Sequence, residues 1–256
     1  MLRSIKEISG HYKLQATDGE IGKVKDFYFD DMFWNIKYLV ADTAGWLRER
    51  LVLISPAALG KPDWTEEKLP VDLTKKKIEN SPPVEKEKPV SRQRESDLIK
   101  YYAWPVNFAY GVDTTHFAEM QLMAERMKRA EEERKGDRET SEEDTHLRSS
   151  EEVMGYDIQA TDDSIGHVED FIFEDDTWII RYMVVDTRNW LPGKKVLVSP
   201  EWIKRVDWAK SKVFVNMDRE TIKNGPEYDP AEPVNRTYEI QLYDYYGRPA
   251  YWENEK

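Results

Sequence analysis

The sequence predicts an all-β fold: two small β-barrels in tandem, each with short helices, joined by a charged helical connector. Residues 12–105 recur without a gap at 156–249, and 39 of those 94 aligned positions are identical. A match of that length marks an internal duplication. Within each copy, short runs rich in Val, Ile, Phe and Tyr are separated by Asp-, Gly- and Pro-bearing turns, the pattern of a small barrel or sandwich with turns about every 8–12 residues. The boundaries follow from the repeat: 1–105 for the first copy with an aromatic tail, 106–152 for the connector, and 153–256 for the second copy with its tail.

Each copy opens on a short strand, 12–16 and 156–160, followed by a turn at Thr17-Asp18-Gly19 and Thr161-Asp162-Asp163. Asp and Gly tolerate turn geometries that strand interiors do not. The next strand runs 22–29 and 166–173. Val24, Phe27 and Phe29 break strict alternation, which predicts a bulge or burial on both faces. After an acidic turn comes a third strand, 34–41 and 178–185, ending at Asp42-Thr43 and Asp186-Thr187. A loop with Trp46 or Trp190 leads to a fourth strand, 52–54 and 196–198, stopped by Pro56 and Pro200, which have no N–H to donate. The fifth strand is 68–73 and 212–217. Residues 74–80 and 218–224 then read as a helical segment with Thr or Asp at its start.

In the connector, residues 115–135 carry Phe117, Met120 and Met127 near one helical face, a stripe expected to pack on a barrel. Residues 136–150 are expected to be a flexible linker.

Composition excludes several classes. Cysteine is absent, which removes disulfides, thiolate metal sites and a cysteine nucleophile. The net charge of −12 argues against direct nucleic-acid binding. No apolar run approaches the roughly 20 residues that span a bilayer, and the start of the chain lacks a signal-peptide core. A cytoplasmic location is expected.

Duplication sharpens the search for a site, because a residue essential to each copy should occur twice. The four histidines, His11, His116, His146 and His167, are not duplicated and have no metal-binding spacing. Neither a phosphate-cradling glycine loop nor a nucleophile elbow is present. The reading is therefore no catalytic residue, no metal and no cofactor. The duplicated acids are Asp18/Asp162, Asp26/Asp170, Asp31/Asp175, Asp42/Asp186 and Asp63/Asp207. Most fall at turns, where Asp accepts backbone N–H groups. Asp26 and Asp170 lie inside a strand, and they remain the candidate functional acids, for an ion or a docking surface. Trp34/Trp178 and Trp64/Trp208 are expected in the core. Trp46 and Trp190, with Arg48, Arg50 and Lys194 nearby, form the candidate docking surface, because exposed Trp and Arg are favoured at interfaces. The loop differs between copies, which would let them meet different partners.

The run from Asp18 to Asp31, then Trp34, Tyr38-Leu39-Val40-Ala41-Asp42-Thr43 and Val52-Leu53-Ile54-Ser55-Pro56, resembles the PRC-barrel family. The second copy repeats it with Ile165-Gly166, Asp170-Phe171-Ile172-Phe173, Trp178, Tyr182-Met183-Val184-Val185-Asp186-Thr187 and Val196-Leu197-Val198-Ser199-Pro200. The resemblance is strongest over 10–82 and 154–226. It implies two PRC-type barrels of roughly six strands that dock on other proteins and do not catalyse. The family includes the cytoplasmic domain of the photosynthetic reaction-centre H subunit and a domain of a ribosome-maturation factor. This chain lacks the transmembrane helix of the one and the preceding domain of the other, so it is expected to be a free-standing tandem member.

Three roles follow from the resemblance. The first is a non-enzymatic adaptor or scaffold, its two linked copies raising the effective concentration of whatever they hold. The alternatives are an accessory subunit associated peripherally with a reaction-centre-like membrane complex, and a ribosome-assembly factor. Each implies a protein partner. The two copies are also expected to pair with one another within the chain.

Overall fold

A computed structural model describes residues 1–43, 47, 52–82, 92–104, 147–187 and 194–253. The predicted connector helix lies outside these residues. The fold is strand-rich with few helices, as the all-β reading expects. The chain divides into two compact units, one of Glu7–Ser149 and one of Met1–Lys6 with Ser150–Lys256.

In the Glu7–Ser149 unit, β2 (Lys13–Ala16) pairs antiparallel with β3 (Gly19–Asp30) and parallel with β6 (Lys68–Val71). β3 pairs with β4 (Ile36–Asp42), and β4 with β5 (Val52–Ile54). The other unit repeats this order with β8 (Asp157–Gln159), β9 (Ser164–Glu174), β10 (Ile180–Asp186), β11 (Lys195–Val198) and β13 (Lys212–Val215), and adds β12 (Ile203–Asp207) beside β13. The sequence reading missed β12. In the first copy the corresponding stretch forms only isolated bridges, Leu59 to Val71 and Asp63 to Lys68.

The sheets are open paths, β5-β4-β3-β2-β6 and β11-β10-β9-β8-β13-β12, and among the described residues they do not close into barrels. The strand that would complete each ring is cut short. Ser55 and Ser199 cap 3-10 turns that begin at Pro56 and Pro200, so the chain leaves the sheet there.

β3 spans 12 residues but β2 only four, so β2 covers just the Gly19–Lys23 end of one β3 edge. The far end of that edge is covered by β7 (Leu147–Ser149), which pairs with Tyr28, Phe29 and Asp30. On β9, the matching edge at Ile172, Phe173 and Glu174 is covered by β1 (Leu2–Ser4). An open edge leaves backbone N–H and C=O groups without partners, and each unit thus closes its longest strand with a three-residue strand. The strand preceding the first copy serves the second copy's sheet, and the strand preceding the second copy serves the first. Sequence analysis missed both strands.

The predicted irregularity of the long strand is a bulge. The β3–β4 register shifts between Val24 and Asp26, and the β9–β10 register between Val168 and Asp170. β4 and β10 begin at Ile36 and Ile180, not at Trp34 and Trp178 as expected. Those tryptophans take positive φ of 55° and 60°, which an extended strand cannot hold, and stack on Phe29 and Phe173 with ring centroids 5.2 Å apart. Gly22 and Gly166 are required beside the ends of β4 and β10. An added Cβ would lie 1.8 Å from the Asp42 carbonyl oxygen and 2.0 Å from that of Asp186.

The predicted helical segments are α2 (Lys75–Glu79) and, in the second copy, Arg219–Lys223. Thr74 and Asp218 cap them through the N–H groups of Lys77 and Thr221. The aromatic tails are the ends of helices that the sequence reading did not assign. These are α3 (Arg92–Tyr102) and its counterpart Arg236–Tyr246. In chain order α1 is Ile5–Ile8, α4 Ser150–Val153, α5 Arg219–Lys223 and α6 Arg236–Tyr246. Tyr243 on α6 meets Tyr182 of β10 and Trp202, so β10 is buried on both faces. Among the described residues, no helix is long and apolar enough to cross a membrane.

Candidate functional site

The bulge turns Asp26 and Asp170 toward the short strands. Asp170 is 7% exposed and Asp26 5%. One carboxyl oxygen of Asp170 accepts the N–H groups of Phe171 (2.7 Å) and Lys6 (3.1 Å), and the other accepts the Ser4 hydroxyl (2.5 Å). Asp26 is engaged in the same way, accepting the Phe27 N–H (2.7 Å) on one oxygen and the Ser149 hydroxyl (2.6 Å) on the other. Burial pushes Asp170 above its ordinary carboxyl value, against the downward pull of its hydrogen bonds from Ser4, Lys6 and Phe171.

A second duplicated pair joins the same strands. Asp175 accepts from Arg3 Nε at 3.4 Å, and Asp31 from Arg148 Nε at 3.0 Å. The candidate acids Asp26 and Asp170 thus read a strand of sequence Leu-Arg-Ser through its hydroxyl, and Asp31 and Asp175 read it through its guanidinium.

Two of the remaining pairs also hold backbone. Asp18 and Asp162 accept the first N–H groups of α2 and α5, from Lys75 (2.8 Å) and Arg219 (2.9 Å). Asp63 accepts from Thr65 and Glu66, and Asp207 from Lys210. Asp42 is exposed whereas Asp186 is buried.

A duplicated acid outside the aspartate pairs anchors the helices to the sheets. Glu239 on α6 is 3% exposed, accepts the hydroxyls of Tyr182 and Tyr251 at 2.8 Å each, and pairs with Arg236 at 3.2 Å. In the first copy, Tyr38 donates to Glu95 on α3 at 3.2 Å. Burial raises Tyr182 and Tyr38 far above the usual phenol range, and the neighbouring Tyr243 to about 12. The signal for this pair was available, since Glu95 and Glu239 match at the same offset as the aspartates.

Beside Tyr38 lies Lys37, 4% exposed. Burial lowers it to about 8, against the upward pull of Asp30 and Glu95. A depressed ammonium favours the fold in its neutral form. The Glu7–Ser149 unit should therefore gain stability from this group as pH rises from about 8 toward 10.5, and lose it as pH falls through 8. Urea midpoints at the two ends of that window, with Lys37→Met as reference, measure it. A wild-type slope matching the variant's would refute it.

Of the candidate docking residues, Trp46, Arg48, Arg50 and Trp190 lie outside the described residues. Lys194 is half-buried, and its ammonium donates to the carbonyls of Lys223 and Gly225 (2.8 Å to Gly225) at the C-terminal end of α5, a favourable place for a cation. Trp64 and Trp208 are half-buried against Tyr12 and Tyr156. Among the described residues, no group of three or more His, Cys, Asp or Glu is placed to hold a metal ion.

Residues 148–222 match the family model of the PRC-barrel domain. This segment is a PRC-barrel domain. The match begins inside β7, at its second residue, and β7 pairs with β3 in the other unit. Comparison with curated proteins gave no match.

Proposed function

We propose that the chain is a non-enzymatic protein-docking adaptor, built from two PRC-barrel domains in tandem and working in the cytoplasm. The observation that carries this reading is the PRC-barrel match to a segment whose buried in-strand acid, Asp170, has both oxygens engaged in hydrogen bonds within the fold. An acid so engaged is poorly placed for proton transfer or ion binding. Asp26, at the matching place in the first copy, is engaged likewise, which supports a second domain of the same type there.

On this reading, the partner is met by the loops that follow β4 and β10, where the copies diverge most usefully: Arg48-Glu49-Arg50 in one, Pro192-Gly193-Lys194 in the other. Two such surfaces on one chain would bring two proteins together.

The test is affinity capture of the tagged full chain from its own cells at low salt, beside a Trp46→Ala, Trp190→Ala variant that keeps the wild-type circular dichroism. A specific protein recovered by wild type and depleted with the variant is the expected result. Recovery of the same proteins in the same amounts by both would remove the loops from the account. Recovery of none would remove the docking role.

A further inference from the structure

We propose that the β9 edge at Ile172–Glu174 is an exchangeable docking site for an extended Leu-Arg-Ser strand, and that a second copy of this chain can supply that strand. This does not depend on the adaptor reading.

Four observations carry it. First, the two receiving edges are equivalent. Leu2, Arg3 and Ser4 face Glu174, Phe173 and Ile172, while Leu147, Arg148 and Ser149 face Asp30, Phe29 and Tyr28. These acceptor positions correspond one to one across the repeat. Second, the two donors carry the same three residues and are read by the same devices, Ser4 and Ser149 by Asp170 and Asp26, Arg3 and Arg148 by Asp175 and Asp31. A donor from any copy therefore fits either edge.

Third, the exchange already exists within one chain. Residues Met1–Lys6 precede the first copy but belong with Ser150–Lys256, and β7 directly precedes the second copy but pairs with β3 in the other unit. Exchange between two chains would form the same ladders and the same hydrogen bonds, with no new contact required, the general condition for low-cost domain swapping. Fourth, each donor is only three residues long and half-buried at its arginine and serine, so the ladder that its release opens is a short one.

Cysteine cross-linking tests this in the full chain, which has no cysteine of its own. Leu2 and Glu174 face each other, and the Asp175 N–H donates to the Met1 carbonyl at 2.8 Å, which makes them a non-hydrogen-bonded pair. Such pairs hold their Cα atoms about 4.5 Å apart, within reach of a disulfide. One full-length chain carries Leu2→Cys and another, with a size tag, Glu174→Cys. They are unfolded, refolded together and oxidised, and a third chain carrying both substitutions serves as the within-chain reference.

The expected result is a disulfide-linked heterodimer severalfold above the level each single variant gives alone, and a severalfold loss when Asp170→Ala is added to the Glu174→Cys chain. Heterodimer at the background level, with the double variant cross-linked within one chain, would overturn exchange between chains. A double variant that does not cross-link at all would overturn the strand register beneath the proposal. If Glu174→Cys fails to fold for want of the Arg181 partner, Leu147→Cys and Asp30→Cys at the equivalent edge give the same readings.

Discussion

Glu239→Ala is expected to destabilise the unit of Met1–Lys6 and Ser150–Lys256 by about 2–6 kcal/mol, the sum for two buried phenol hydroxyls that lose their acceptor. Glu239 stands on α6, almost fully buried, and joins three elements at once. It accepts from Tyr182 in β10 and from Tyr251 after the helix, and it pairs with Arg236 one turn away. Alanine leaves two buried phenol hydroxyls without an acceptor, each costing about 1–3 kcal/mol. Tyr182 is wholly buried. Glu239→Gln keeps an acceptor oxygen and should cost less. Adding Tyr182→Phe to Glu239→Ala should recover part of the loss, because the orphaned donor goes with it. Urea unfolding measures all three. A Glu239→Ala variant within about 0.5 kcal/mol of wild type, as at an ordinary surface position, would show that the cluster does not hold α6.

Asp170→Ala is expected to cost about 2–4 kcal/mol and to release β1, because up to three donors lose a buried acceptor at about 1–3 kcal/mol each. Those donors are the Ser4 hydroxyl and the N–H groups of Lys6 and Phe171. Asp170→Asn should cost under about 1 kcal/mol, since its amide oxygen still accepts from the backbone and its NH2 can donate to Ser4. Asp170→Asn and wild type differ in pH dependence. Burial raises Asp170 in the folded state, so its contribution is fully present below its ordinary value of 3.8 and is lost as pH rises through the raised value. Asp170→Asn should therefore gain on wild type as pH rises above 3.8. A constant difference between the two across that range would contradict the burial argument.

Much of this was legible in the sequence. The parity break at Val24, Phe27 and Phe29 pointed to the bulge, and its in-strand acids were the ones singled out. Their partners were not legible, for a specific reason. Leu-Arg-Ser occurs at 2–4 and again at 147–149, but the first copy carries one extra residue, His11, between its glycine at position 10 and Tyr12. The offset of 144 fails there, and a gapless comparison starting at Tyr12 passes over the strand. A three-residue strand also has no periodicity to detect. The helices ending at Tyr102 and Tyr246 escaped because their aromatic side chains are indifferent helix formers, although Asn235 stood as a cap and Leu242 and Tyr243 as the buried face. Glu95 and Glu239 were passed over because only aspartates were matched across the repeat.

Each duplicated in-strand acid holds a strand that precedes the other copy, Asp170 through Ser4 and Asp26 through Ser149. A double-mutant cycle between Ser4 and Asp170 in the full chain tests it most directly. It compares Ser4→Ala, Asp170→Ala and the double variant by urea unfolding. The expected coupling is about 1–3 kcal/mol, the value of a half-buried hydrogen bond to a carboxyl group. Single-variant costs that add to within about 0.3–0.5 kcal/mol would contradict it.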